Sequence, residues 1–157
     1  MDKPIAVITG ASTGIGRSLA LKLSNQYLVY LISRNENNLN KTKELIDTQN
    51  NQCEIIVSDI SRTKSIDYIY SKIENKEKIE LLINNAGIGI FKNITDTSVE
   101  DWDRTLNTNL RGSFLMTKML VDNFKSKKNG KIVFISSVAG LQPYKNSTAY
   151  VASKYGV

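Results

Sequence analysis

The sequence contains no histidine and a single cysteine. Without histidine there is no imidazole base, no Ser-His-Asp triad and no His-ligated zinc. Cys53 alone forms no intramolecular disulfide and no cysteine cluster for a metal, so no metal site is expected. A lone thiol in a strand-like segment reads as a core filler of a reduced, intracellular protein. Long apolar runs are also missing, and no stretch approaches the roughly 20 residues of a membrane span. Met1-Asp2-Lys3-Pro4 leads straight into an apolar segment, without the basic-then-apolar layout of a secretory leader, so the expected location is the cytoplasm.

What is present suits one core. The 157 residues are 41% apolar and 23% charged, which fits one ordinary domain over 1–157. The net charge is +6, with Lys and Arg scattered along the chain. The densest basic stretch, Lys125 to Lys131, is interrupted by Ser126, Asn129 and Gly130. It lacks interleaved aromatics and a binding motif, so it reads as a solvated loop and no nucleic-acid partner is expected. A mildly positive surface favours an anionic cofactor.

Strand-like and helix-like segments alternate with short connections. Apolar runs at Ile5–Ile8, Tyr27–Ile32, Glu54–Val57, Leu81–Ile83 and Lys131–Ile135 predict strands. Ile15, Leu19 and Leu23 recur at helical spacing after the first. A polar helix with Leu39, Leu45 and Ile46 inward follows the second. Ile66, Ile69, Tyr70 and Ile73 mark an amphipathic helix after the third. The longest helical pattern starts at Ser98, an N-cap with Asp101 three positions on, and runs through Trp102, Leu106, Leu110, Phe114, Leu115 and Met119 towards Phe124. Asn109 and Gly112 inside it predict a close approach or a break. A last helix begins near Ser147. Unbroken apolar strands alternating with helices predict an α/β, doubly wound parallel sheet with strand order 3-2-1-4-5, binding its ligand at the carboxyl ends of the strands.

Thr9-Gly-Ala-Ser-Thr-Gly-Ile-Gly16 lies between the first strand and the first helix. Gly10 allows a tight turn. Gly14 lets a pyrophosphate reach the backbone, and Gly16 lets the helix pack close to the sheet. The free N–H groups and positive end of the helix favour phosphates. A merely structural loop has the same composition, but the strand before and the helix after point to a dinucleotide turn. Gly10, Ser12, Thr13, Gly14, Ile15 and Gly16 are therefore expected cofactor residues. The end of the second strand, Ile32-Ser33-Arg34-Asn35, lacks the acid that binds ribose hydroxyls in NAD sites. Arg34 is placed to pair with a 2′-phosphate, so NADP(H) is favoured over NAD(H).

Tyr150 and Lys154 are four apart at the start of a helix and share one face. An ammonium near a phenol stabilises phenolate, and a tyrosine so tuned exchanges a proton with an alcohol or carbonyl oxygen. Ser137 ends the fifth strand at the same edge of the sheet. With these residues the chain resembles the short-chain dehydrogenase/reductase family, over essentially its whole length. Thr9–Gly16 matches TGxxxGxG, Asn84–Gly87 matches NNAG, and Asn109–Gly112 matches the helix motif with the active-site asparagine. Ile135–Gly140 and Tyr150–Lys154 match the serine and YxxxK motifs. The fold implied is Rossmann-like. The resemblance implies that Tyr150 is the general acid/base, and that Lys154 tunes it and binds the nicotinamide ribose. It implies that Ser137, whose spacing to Tyr150 fits better than that of Ser136, orients the substrate carbonyl, and that Asn109 holds a water in a proton relay. It also implies that Asp59 contacts adenine, that Ile60 packs on that ring, and that Asn85, Ala86 and Gly87 line the cofactor ribose. Ser33 and Arg34 match an NADP-preferring pattern, although Thr13 stands where some such members carry a basic residue.

The motifs stop at Lys154, three residues before Val157. The family's last strands, nicotinamide clamp and substrate loop have no counterpart here, so the fifth strand is expected to present an apolar edge. Two functions follow from this. One is an NADP(H)-dependent oxidoreductase acting on a small carbonyl or alcohol. The other is a nucleotide-binding or structural fragment without turnover. The apolar face from Phe114 to Phe124 has no evident full cover, and the family resemblance adds dimerisation through this helix, so a homo-oligomer is expected.

Overall fold

The computed structural model describes residues 3–127 and 129–157. The leader reading at Met1 and Asp2, and the part of the basic stretch that falls on Lys128, lie outside the described residues.

Five strands, β1 (Ile5–Thr9), β2 (Leu28–Ser33), β3 (Cys53–Val57), β4 (Ile79–Asn84) and β5 (Lys131–Phe134), form one sheet in the order β3-β2-β1-β4-β5. Every pairing is parallel, with Ile5 opposite Leu28 on one side and Leu81 opposite Lys131 at the other edge. The helices are α1 (Gly14–Leu23), α2 (Glu36–Asp47), α3 (Thr63–Lys72), α4 (Val99–Leu106), α5 (Gly112–Lys127) and α6 (Thr148–Gly156).

Side chains alternate across a strand, so a sheet covered on both faces needs apolar residues at every position. β1 shows this directly. Ile5 and Val7 join Ile66, Ile69, Met116 and Leu120 in a core under α3 and α5. Ala6 and Ile8 join Ala20, Leu39 and Ile46 in a second core under α1 and α2. This is the doubly wound arrangement that the order of elements implied.

Helical periodicity placed Ile15, Leu45 and Trp102 among apolar positions that the fold leaves exposed. Ile15 is 60% exposed, because the first turn of α1 overhangs the carboxyl end of the sheet. Leu45 is 43% exposed and stands beside buried Ile46, one position (100° of helix) off the line through Leu39 and Ile46; Thr42 is buried instead. In α5, Met116, Leu120 and Phe124 are buried, so the sheet and α3 cover most of the face expected to lie open, and Phe114 stays exposed.

The long helical pattern is capped as expected, the Ser98 side chain accepting from Asp101 N–H. Its break at Asn109 is a π-helical turn, Asn107–Arg111, which joins α4 to α5 without ending the helix. Gly112 follows because a Cβ there would meet the Ile60 side chain at 2.8 Å. On β5, Val133 and Phe134 are 40% and 43% exposed, the apolar edge that the sequence implied.

Cys53 opens β3 inside the second core, 1% exposed, and burial pushes its thiol up to about 11. The folded chain therefore keeps a proton that the unfolded chain gives up above about 9. Native stability should fall as pH rises across that window, and denaturant titrations of wild type and Cys53→Ala should show a shallower fall in the variant. An identical slope in both chains would contradict the assignment.

Candidate functional site

The ends of β1 and β4 are neighbours in the sheet, and the turns that leave them interlock. The Thr9 hydroxyl donates to Ile83 O at 3.3 Å and accepts from the N–H groups of Asn85 and Ala86 at 3.0 and 3.1 Å. The Asn85 amide donates back to Thr9 O and Gly10 O at 3.0 and 3.1 Å. This closeness leaves no room for side chains. A Cβ at Gly10 would lie 2.8 Å from Ala86 Cα, and one at Gly16 would run into the Gly10 carbonyl. Gly14 has φ +54 and nothing within 4 Å of a Cβ position, so its demand is conformational, beside open space. Thr13 makes no side-chain capping bond to α1. The first-turn N–H groups of that helix therefore stay available to a ligand.

A cavity of about 420 Å³ opens at this turn. Gly10, Ser12, Thr13, Gly14 and Ile15 form its floor. Ser33 and Arg34 line it from the end of β2, Asp59 and Ile60 from the end of β3, and Asn85, Ala86 and Gly87 from the end of β4. Gly16 lies behind the turn and does not line it. At the β2 corner Ser33 Oγ donates to Ser12 Oγ at 2.9 Å. Asp59 is turned to its own loop, its carboxylate accepting from Ser61 N–H and hydroxyl at 3.1 and 2.8 Å.

A second cavity of about 330 Å³ shares Ile15, Asn85, Gly87 and Ile88 with the first and ends at Tyr150 and Lys154. A third, of about 450 Å³, shares Phe91 and Tyr150 with the second and holds Ser137. Tyr150 and Lys154 both lie on α6, one helical turn apart, with the ammonium 5.8 Å from the centre of the phenol ring. Lys154 is 7% exposed, and its Nζ donates to Ile135 O at 2.8 Å. Burial holds the Lys154 ammonium below the ordinary lysine range. The two adjacent serines each line a cavity with Tyr150, Ser136 the second and Ser137 the third, and differ in their bonds. Ser136 Oγ donates to Lys154 O at 3.1 Å, whereas Ser137 Oγ accepts from Ala139 N–H and faces the cavity that holds Phe91 and Tyr150.

The Asn109 amide is bonded to Ile88 and Ser153. Its Oδ1 accepts from Ile88 N–H at 2.8 Å, and its Nδ2 donates to Ile88 O and to Ser153 Oγ, both at 2.9 Å. Ser153 in turn donates to Tyr150 O at 2.7 Å. The π-turn thus ties the loop after β4 to the first turn of α6. Three residues of the site carried little sequence signal. Thr9 was the first letter of the glycine motif, Ser153 sits inside the Tyr150–Lys154 spacing, and Phe91 is one aromatic in a loop. Phe91 packs edge-on against Tyr150 with ring centres 5.5 Å apart.

The residues present fit an elongated dinucleotide. Phosphate donors and open space lie at Gly14, apolar Ile60 lies beside Asp59 at one end, and a buried ammonium lies beside a phenol at the other. Among the described residues no group of three or more His, Cys, Asp or Glu is gathered to hold a metal.

Comparison with known proteins agrees with this geometry. Residues 4–157 match the short chain dehydrogenase family. A sepiapterin reductase from Chlorobaculum tepidum is 34% identical over 163 residues, covering 98% of this chain and 67% of that protein. The chain thus spans about two thirds of that relative's length. A metagenomic short-chain oxidoreductase solved in complex with NADP superposes with a TM-score of 0.93 at 30% identity, over 99% of this chain and 72% of the other. An NAD+-bound xylitol dehydrogenase gives 0.91 at 28% identity, over 99% and 61%. The chain belongs to the short chain dehydrogenase family of oxidoreductases.

Proposed function

We propose that residues 1–157 form the dinucleotide-binding and catalytic part of an oxidoreductase that uses NADP(H) in preference to NAD(H) and acts on a carbonyl or alcohol. The observation that carries this reading is the run of cavities joining the start of α1 to Tyr150 and Lys154 through shared lining residues. When bound, the nicotinamide supplies or accepts a hydride at the substrate carbon.

The chain's own residues do the rest. The N–H groups at the start of α1 hold the pyrophosphate, and the bare backbone at Gly14 gives it room. Asp59 and Ile60 flank the adenine, while Asn85, Ala86 and Gly87 line the ribose. In reduction the Tyr150 hydroxyl gives its proton to the carbonyl oxygen; in oxidation it takes one from the alcohol. Ser137 holds that oxygen by a hydrogen bond. Lys154 has three donors, and with one on Ile135 O two remain for the nicotinamide ribose. Asn109 has its amide committed, so in this reading its backbone carbonyl holds the relay water. That carbonyl already accepts from Ser113 Oγ at 2.8 Å and has a second lone pair.

The β2 corner supports the choice of NADP(H). Ser33, Arg34 and Asn35 line the cavity there, and none of the three is an acid. The related fold carries NADP in one solved protein and NAD+ in another, and the preference proposed here is read from the side chains at this corner. The exposed Phe114 and Val99 on α5 and α4 support self-association, and no helix among the described residues is long and apolar enough to cross a membrane. We place the protein in the cytoplasm.

Tyr150→Phe should lower NADPH-dependent reduction of a panel of ketones and aldehydes by about 100-fold or more while NADPH binding persists. Turnover that survives this change would overturn the role of Tyr150. Calorimetric titration should show tighter binding of NADPH than NADH, with Arg34→Ala losing about tenfold in NADPH affinity alone. Equal binding of both by the wild-type chain would retract the Arg34 argument. Light scattering at micromolar concentration should report a dimer or larger, and a monodisperse monomer refutes self-association.

A further inference from the structure

One guanidinium in the cleft region has no part in the reading above. Arg17 lies on α1, one residue past the glycine turn, and its side chain runs sideways to α2. Its Nε donates to Thr42 Oγ1 at 3.0 Å. Its Nη2 donates to Ser12 O at 2.5 Å and, more weakly, to Asn38 O at 3.4 Å. Thr42 is fully buried, and its hydroxyl has the carbonyls of Ala11, Ser12 and Asn38 within 3.1 to 3.4 Å for its single proton. Together these two side chains join three segments: the first turn of α1, the glycine turn and the first turn of α2.

Those segments carry the corner assigned to the 2′-phosphate. The Ser12 peptide held by Arg17 bears the hydroxyl that meets Ser33, and Ser33 precedes Arg34. Asn38, whose carbonyl Arg17 reaches, gives its N–H to the Asn35 cap at 2.9 Å, and Asn35 follows Arg34. The chain on either side of Arg34 is thus tied back to Arg17. Among the described residues no carboxylate forms an ion pair with this guanidinium, and carbonyl dipoles hold it. Its positive charge therefore adds to that of Arg34 at the same corner.

We propose that Arg17 is a positioning residue for cofactor selection: it fixes Ser12, Ser33 and Arg34 in the spacing a ribose 2′-phosphate requires before the cofactor arrives. The proposal rests on the NADP(H) reading above. Preorganisation matters because a corner that must be ordered on binding spends interaction energy on the ordering. Arginine is needed because its planar fork donates in two directions at once; a lysine ammonium reaches one or the other.

The test is equilibrium titration of the full chain with 2′,5′-ADP and with 5′-AMP, which differ only in the 2′-phosphate. Wild type should favour 2′,5′-ADP. Arg17→Met should weaken 2′,5′-ADP by about tenfold and leave 5′-AMP within about threefold, with Arg17→Lys recovering only part of the loss. Thr42→Val removes the other half of the tie and should move the same ratio in the same direction, with Thr42→Ser restoring it. The Thr42 pair decides the matter if Arg17→Met fails to fold. Equal losses for both ligands would make Arg17 a brace for the turn alone and overturn the proposal, as would no loss at all. A wild-type chain indifferent to the 2′-phosphate would bring down the NADP(H) reading itself, and this is seen before any substitution is made.

Discussion

The carboxyl edge of the sheet depends on how closely the turn after β1 approaches the turn after β4. Thr9 and Asn85 close that gap with four hydrogen bonds around their backbones. The gap is so narrow that Gly10 and Gly16 have no space for a methyl group. This contact sets the start of α1 over the crevice where the winding of the sheet reverses, and the first two cavities of the site share Asn85 from it. Had β1 and β4 been separated by another strand, the glycine turn and the Asn84–Gly87 turn would lie on different parts of the molecule.

From that point the site is assembled by a second tie. The π-turn at Asn107–Arg111 turns Asn109 inward, and the Asn109 amide grips both the loop after β4 and Ser153 on α6. An inserted residue in a helix costs regular hydrogen bonding, and here the buried amide recovers it by bonding to other elements. The same tie orients α6, which holds Tyr150 towards the cavities and Lys154 against the end of β5. A buried ammonium is tolerated because a carbonyl accepts from it and a phenol ring lies close by.

Much of this architecture was legible in the residues. Unbroken apolar strands separated by helices implied a parallel sheet, and the β-α alternation implied its order. The Ser98 cap and the disturbance at Asn109 and Gly112 were visible as local chemistry. The nature of that disturbance was not, because a π-turn is stabilised by Ile88 and Ser153, which are distant in sequence. Periodicity erred at Ile15 because it reports which side of a helix is apolar, but not whether another element reaches that part of it; at Leu45 the line through Leu39 and Ile46 runs one position away.

By itself the sequence determined the class of fold, the place of the glycine turn and the pairing of Tyr150 with Lys154 one helical turn apart, since these follow from local spacing and residue type. Tertiary structure decided which partners the side chains meet. It bonded Ser136 to the α6 backbone, set Ser137 beside Tyr150 in the third cavity, committed the Asn109 amide to Ile88, aimed Asp59 at its own loop, and led the Arg17 side chain across to α2. Each of these is a competition between hydrogen-bond partners far apart in the chain, and only the packed sheet fixes which partner lies within reach.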